Sequence, residues 1–225
     1  MTPVKKRTKI KLDVKVTIIY DNTTYDKRLQ ADWGFAALIE IPNTPTILFD
    51  TGANGKILLD NMAKLDINPK KIEEVFISHH HYDHVGGLSE FLTVNPDVKV
   101  YVPPSFHGLK SGQAVIIKKA QKIHNNLFST GELENIEQAL GIITKKGTVL
   151  VVGCSHPKMN KILKAGRKYG TLYGIIGGLH GFSNFELLKE LKLICPTHCT
   201  QYQKEIKELY PKEYLPGGTG QIIKI

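Results

Sequence analysis

The sequence predicts an α/β fold of four layers (αββα), two mixed sheets packed face to face with helices outside. Three observations predict it: apolar runs of strand length recur along the 225 residues, amphipathic runs of helix length lie between them, and hairpin turn signals occur in both halves. A chain of this length can bury one sizeable core. No Ser/Gly/Pro-rich linker, charge block or internal repeat divides it, so residues 1–225 read as a single domain.

Each element has its own justification. Residues 12–20 are broken by Asp13 and Lys15 into strand-like alternation. Residues 33–41 and 46–49 flank Pro42-Asn43-Thr44-Pro45 and read as a hairpin. Residues 56–65 have helical spacing, ended by Asn68-Pro69. Residues 74–78 and 98–102 read as strands, the second stopped by Pro103-Pro104. Residues 107–130 show weak periodicity and receive no element. Residues 137–144 and 148–152 make a second hairpin around Lys145-Lys146-Gly147, and residues 159–169 read as a helix. Short strands at 172–176 and 193–195 are separated by a helix over 184–191.

Composition narrows the function. The net charge of +9 favours anionic partners. Nearly all of it is lysine, since arginine occurs only as Arg7, Arg28 and Arg167, and no Arg-rich stripe with interleaved aromatics marks a nucleic-acid surface. A solvated lysine surface that serves solubility is the competing explanation of the charge. Three cysteines, Cys154, Cys195 and Cys199, argue for a reducing compartment without a disulfide framework, hence the cytoplasm. The basic N-terminal stretch leads into alternation, not a signal-peptide apolar region, and no run approaches membrane-span length.

The chemistry gathers in His79-His80-His81-Tyr82-Asp83-His84, where the predicted strand ends. Side chains at i and i+2 of a strand share a face, so His79 and His81 can meet one ion while His80 points away. Asp83 and His84 can fold back onto a second ion, and Gly86-Gly87 permits a tight turn into the next helix. Any one of these residues has a structural explanation. The set does not, because burying several unpaired imidazoles with a carboxylate is costly.

His79-x-His81-x-Asp83-His84 after a strand resembles the signature of the metallo-β-lactamase superfamily, as does the upstream Phe49-Asp50-Thr51-Gly52. The resemblance implies a metallo-β-lactamase-like sandwich with one or two divalent ions, zinc before magnesium or manganese. It implies Asp50 beneath the metals, His156 of Gly153-Cys154-Ser155-His156-Pro157 as the third ligand of the first ion, and His198 of Pro196-Thr197-His198-Cys199 as the last ligand. Pro157 would open the following helix, with the helix N-terminus beside the metal. Cys195 and Cys199 read as packing residues. Members with two ions usually carry a bridging aspartate, yet no aspartate follows Asp97; Gly177-Gly178-Leu179-His180 stands at that place, which makes His180 the candidate there. A histidine cannot bridge as a carboxylate does, so the second ion is expected to bind weakly or to need substrate as a co-ligand.

These motifs, with residues 33–39, resemble one subgroup from about residue 20 to residue 200: the dihydropterin-ribofuranosylaminobenzene-phosphate synthases of methanopterin assembly, which release diphosphate. The stretch between His84 and His156 is shorter than in that family. The resemblance implies a phosphorylated or diphosphorylated small molecule as substrate, with Asp83, Asp50 and His180 in the reaction centre. Lys56, Lys158 and Tyr82 are candidate substrate contacts, each with a solvated or wall-filling role as the competing explanation. His107 and His124 are read as surface or loop residues. The other hypotheses are a metal-dependent hydrolase, either a phosphohydrolase or a metallo-nuclease, and a non-catalytic metal-binding relic, against which the apparently intact His79, His81 and His156 speak. The sequence says nothing of oligomeric state.

Overall fold

A computed structural model of the chain describes residues 14–109 and 112–225. Its strands are β1 (Lys15–Tyr20), β2 (Ala36–Glu40), β3 (Ile47–Phe49), β4 (Glu74–Phe76), β5 (Lys99–Val102), β6 (Ala114–Ile116), β7 (Gln121–His124), β8 (Leu127–Ser129), β9 (Leu140–Thr144), β10 (Gly147–Val152), β11 (Leu172–Gly178), β12 (Leu193–Thr197) and β13 (Ile222–Lys224). The helices are α1 (Gly55–Lys64), α2 (Tyr82–Val85), α3 (Leu88–Val94), α4 (Met159–Arg167) and α5 (Gln203–Leu209). One sheet runs β13-β1-β2-β3-β4-β5-β6 and the other β12-β11-β10-β9-β8-β7.

Both sheets are mixed. In the first, β1 to β3 pair antiparallel and β3 to β6 parallel; in the second, β7 to β10 pair antiparallel and β10 to β12 parallel. The period-2 alternation of β1 sends Val16 and Ile18 to the face between the sheets and Ile19 to the outer face. Between the sheets, Val16, Ile18, Phe49 and Phe76 join Leu140, Ile142, Val149 and Ile176 in one buried cluster. The outer faces are covered by helices: Leu58 and Met62 of α1 with Phe91 of α3 on one side, Ile162 and Leu163 of α4 on the other. This is the predicted αββα sandwich.

Helix α1 shows how local sequence sets an element. Asn54 caps it by accepting from the backbone amides of Lys56 and Ile57, and Leu58, Asn61 and Met62 supply its buried face at i, i+3, i+4 spacing. Each of the two apolar side chains contributes about 1.5–3 kcal/mol through burial. Asn61 is buried because its amide serves the backbone: it donates to the carbonyls of Ile19 and Gln30 and accepts from the Gln30 amide.

Several expectations change. The helix expected over 184–191 is a single 3-10 turn at Phe185–Leu188. Leu188 and Leu191 are its buried apolar pair, joined by the Leu191 amide donating to the Leu188 carbonyl, and i, i+3 spacing fits three residues per turn. The unassigned 107–130 stretch holds β6, β7 and β8, of which β6 and β7 lie at sheet edges with no fully buried residue, so no apolar period exists to be read. Helix α5 and strand β13 each bury one residue, Ile206 and Ile223, and were not anticipated for the same reason. Glu137 lies before β9 and turns toward the site. Residues 12 and 13 of the expected first strand lie outside the described residues.

Candidate metal centre

The C-terminal ends of parallel strands collect at one edge of the sandwich, where open α/β sheets bind ligands. Asp50 follows β3, His79 lies three residues beyond β4, residues 153–156 follow β10, His180 follows β11 and His198 follows β12. Asp50, Ser155, His180 and His198 all adopt left-handed backbone, with φ of 53°, 60°, 44° and 49°. Non-glycine residues held there carry strain, which collects at functional sites.

Asp50 is fully buried and organises the floor. Its Oδ1 accepts from the Ser78 amide at 2.7 Å, and its Oδ2 accepts from Ser78 Oγ and from His84 Nδ1, each at 2.7 Å. Because Ser78 Oγ donates to Asp50, it accepts from His79 Nδ1 at 2.9 Å. One carboxylate therefore fixes the tautomers of two imidazoles, leaving the Nε2 lone pair of each facing inward. His198 follows the same rule from another strand, with Nδ1 on Asn22 Oδ1 at 2.9 Å and its backbone amide on Asp21 at 2.7 Å.

The second half of the site hangs on Glu137. This buried carboxylate accepts the amides of Gly153, Cys154 and Ser155 on Oε1 and that of His156 on Oε2, over 2.8–3.1 Å. Burial pushes its pKa up, against which the His156, Ser155 and Cys154 amides and the nearby His84 pull it down. Gly153 must be glycine for packing reasons: a Cβ there would lie 2.3 Å from Ser78 Oγ and 3.0 Å from His79 Nδ1.

Two groups of donor atoms result. Those of Asp83, His84, Cys154 and His198 lie within 4.8 Å of one another, and so do those of His79, Cys154 and His156. Asp83 is held by Trp33 Nε1 at 3.0 Å and lies 3.2 Å from His198 Nε2. Cys154 Sγ lies 3.1 Å from His84 Nε2. His81 approaches from the solvent side, its Nδ1 3.1 Å from His79 Nε2 and its ring 4.8 Å from that of His156.

The donors fit a divalent cation. Nε2 of His156 and of His198 is buried with no hydrogen-bond partner, a costly arrangement unless a cation accepts the lone pairs. Burial, then the neighbouring imidazoles, holds His79 far below the usual histidine pKa, and burial lowers His156 to about 4, so both are neutral at neutral pH with a lone pair free for a cation. Burial works against the charge on Asp83, yet His198 and His84 outweigh it and keep that carboxyl well below its usual range.

Residues 34–166 match the profile of the metallo-beta-lactamase superfamily. The chain belongs to that superfamily. It is 26% identical to the 7,8-dihydropterin-6-methyl-4-(beta-D-ribofuranosyl)-aminobenzene-5'-phosphate synthase of Methanocaldococcus jannaschii, over 92% of this chain and 95% of that one. Among solved structures it is similar to a metal-dependent hydrolase of the beta-lactamase superfamily (TM-score 0.74, 21% identity, 94% of this chain and 99% of that one). It is also similar to a diphosphatase of the PhnP family (TM-score 0.61, 11% identity, 95% and 98%).

Several site expectations need correction against this superfamily pattern. His180 is in neither donor group; it is exposed at the rim, its ring 5.2 Å from that of His156, and the residue both groups share is Cys154, while His81 too is in neither group. Pro157 precedes α4, which begins at Met159. The start of α4 is not open to an anion: Glu134 accepts the Lys158 amide at 2.8 Å and pairs with Lys161. Gly86 and Gly87 have ordinary negative φ, and they are small because a Cβ would lie 2.2 Å from the Ala53 carbonyl oxygen and 2.4 Å from that of Thr51. His80 does turn away, onto Phe106 at 4.6 Å between rings.

Of the candidate substrate contacts, Lys158 lines a cleft of about 290 Å³ with Ser155, His156, His180 and Phe182. Tyr82 is 66% exposed at the start of α2, and Lys56 stands exposed on α1, outside that cleft. His107 is exposed, while His124 is half-buried and bonds Glu74 at 2.7 Å. Sequence reasoning missed Cys154, Glu137, Asn22 and Asp21 as parts of the site. For Cys154 the signal was present, two residues before a ligand candidate at a strand end.

Proposed function

We propose that this chain is a metal-dependent enzyme acting on a phosphorylated or diphosphorylated small molecule, most specifically a synthase that joins a dihydropterin diphosphate to an aminobenzene ribofuranosyl phosphate and releases diphosphate. One observation carries the metal-dependent part: His79, His84 and His198 each have Nδ1 tied to an oxygen and Nε2 turned toward one small volume, with Asp83 and His156 closing it. His79, His81 and His156 would hold one divalent ion, and Asp83, His84 and His198 a second, zinc before magnesium or manganese given the imidazole-rich donors. The likeness to the archaeal synthase over nearly the whole of both chains supports the specific reaction.

Bound there, a divalent ion neutralises charge on phosphoryl oxygens and activates water. The chain's own residues do the rest. Asp50, through Ser78 and His84, keeps the imidazoles in the donating tautomer. Trp33 holds the Asp83 carboxylate in place. His81 is exposed beside His156, and His180 and Lys158 line the cleft next to it, where Lys158 brings positive charge for an arriving substrate. That cleft also admits water and favours hydrolysis of a phosphate ester or anhydride as the second reading. Both halves of the chain build one site, so residues 1–225 are proposed to act as a single domain, in the cytoplasm given three unpaired, buried cysteines.

The test combines metal content and product. Protein purified without a metal-binding tag should carry divalent metal by mass spectrometry, and His79→Ala should lose it. Mixing the two pterin-pathway substrates should release diphosphate, whereas release of inorganic phosphate or substrate breakdown without condensation would establish the hydrolase instead. Absence of metal after reconstitution at neutral pH would sink both.

A further inference from the structure

We propose that Cys154 supplies a thiolate shared between the two ions, in the central position that a carboxylate usually fills in this superfamily. The proposal rests on the metal-dependent reading above and deepens it. Cys154 is the one residue common to both donor groups: with Asp83, His84 and His198 on one side and with His79 and His156 on the other, its Sγ lies within 4.8 Å of every other donor atom. It stands at hydrogen-bond distance, 3.1 Å, from His84 Nε2, whose Nδ1 is already committed to Asp50, so loss of the thiol proton would turn both the sulfur and the Nε2 lone pair to a cation. Two further donors aim into the same volume independently of the cysteine. His156 presents a buried Nε2 with no hydrogen-bond partner, and His198, 5% exposed, turns a buried Nε2 toward the Asp83 carboxylate at 3.2 Å, outside hydrogen-bond geometry.

The backbone places this sulfur deliberately. Glu137 gathers the Gly153, Cys154, Ser155 and His156 amides, and Ser155 adopts φ of 60° and donates its hydroxyl to the Gly178 carbonyl at 2.8 Å. That fold of the loop turns Cys154 inward at the end of β10 and leaves His156 to reach the centre from the next turn. The carboxylate nearby, Asp83, belongs to the His84 and His198 group alone, where Trp33 Nε1 and His198 flank it; no aspartate follows Asp97, and Glu137 is consumed by backbone amides. Metal binding would release the thiol proton to solvent.

Substituting sulfur for oxygen changes which ions the site prefers. A thiolate is a soft donor, so a centre bridged by Cys154 takes zinc, cobalt or iron ahead of magnesium, manganese or calcium. A carboxylate bridge would leave the harder ions competitive.

Cobalt(II) tests this directly, because sulfur ligation gives a near-ultraviolet charge-transfer band that nitrogen and oxygen donors do not. Apo-protein titrated with cobalt should bind two ions and develop that band. Cys154→Ser should lose the band and fall to one ion per chain while keeping its circular dichroism. Cys199→Ser, which removes the neighbouring buried thiol, should keep both. A second variant guards against misfolding: Cys154→Asp should recover two ions with no sulfur band and bind manganese more tightly than wild type does. Two cobalt ions without a sulfur band in wild type, or a band that survives Cys154→Ser or vanishes in Cys199→Ser, would overturn the proposal while leaving the metal-dependent reading intact. No cobalt at all would overturn both.

Discussion

The floor and the rim of the metal centre are built on opposite terms. On the floor, Asp50, His79, His84 and Glu137 are almost wholly buried; Asp50, His84 and Glu137 are bound to groups far away in the chain, and His79 to the adjacent Ser78 that Asp50 holds. At the rim, His81, Tyr82, Lys158 and His180 are exposed to solvent. Buried polar groups must be satisfied to be tolerated, so the floor is rigid and intolerant of change. The rim is free to meet a ligand. The same six-residue motif feeds both regions, since His79 and His84 face inward while His81 and Tyr82, two places away from each, face out.

The largest effect that could break this contrast is in the floor. Asp50→Ala strands the Ser78 amide and hydroxyl and the His84 Nδ1–H together; urea unfolding is expected to show a loss of about 3–5 kcal/mol, as when one partner of a buried charged pair is removed. A loss under about 1 kcal/mol would mean the floor is not what organises the site. Glu137→Ala is of comparable or larger size, because four amides lose their acceptor at about 1–3 kcal/mol for each one that water does not reach. Glu137→Gln, which retains acceptor oxygen for part of the set, should cost clearly less.

Metal content separates the regions more finely. His79→Ala should lose bound metal, while His180→Ala should keep the wild-type stoichiometry and lower turnover instead. If His180→Ala loses an ion, the exposed rim position is misread and the residue does ligate.

In the metal-free protein, pH offers a smaller test. The folded chain holds His156 at about 4, below its ordinary 6.5, so the unfolded state binds more protons between those values and stability is lost as pH falls from 6.5 toward 4. His156→Gln should flatten that part of the stability curve, measured by thermal unfolding in the presence of chelator. An unchanged slope would mean other groups control it. The smallest effect belongs to Lys158→Ala, expected to raise KM for an anionic substrate about three- to tenfold, on the order of 1 kcal/mol, with Lys56→Ala near wild type.

How much of this was legible depends on the kind of signal. The hairpins around Pro42–Pro45 and Lys145–Gly147, the helix capped by Asn54, and the strand leading to His79 all write themselves into local periodicity and turn chemistry. The His79 to His84 cluster was legible because it is local: one strand end and one short helix supply four side chains. Strands β6, β7 and β13 were not, because edge strands bury one face or less and carry little apolar pattern. Cys154 was quoted in its motif yet passed over, since a thiol reads as a packing residue until its distance to His84 is known.

Sequence by itself determined the αββα layering, the local half of the donor set and the acidic residue before Thr51-Gly52 that belongs with it, because period, caps and short-range spacing are properties of the chain. Tertiary structure alone decided that His84 of α2 and Cys154 and His198 from two strand ends bring their donor atoms within 4.8 Å of one another, and that His180 is outside that group. It also decided that Glu137 serves the 153–156 loop. Those outcomes depend on how parallel strands align at one sheet edge and on which buried groups find partners there, and residues far apart in the chain carry no local trace of either.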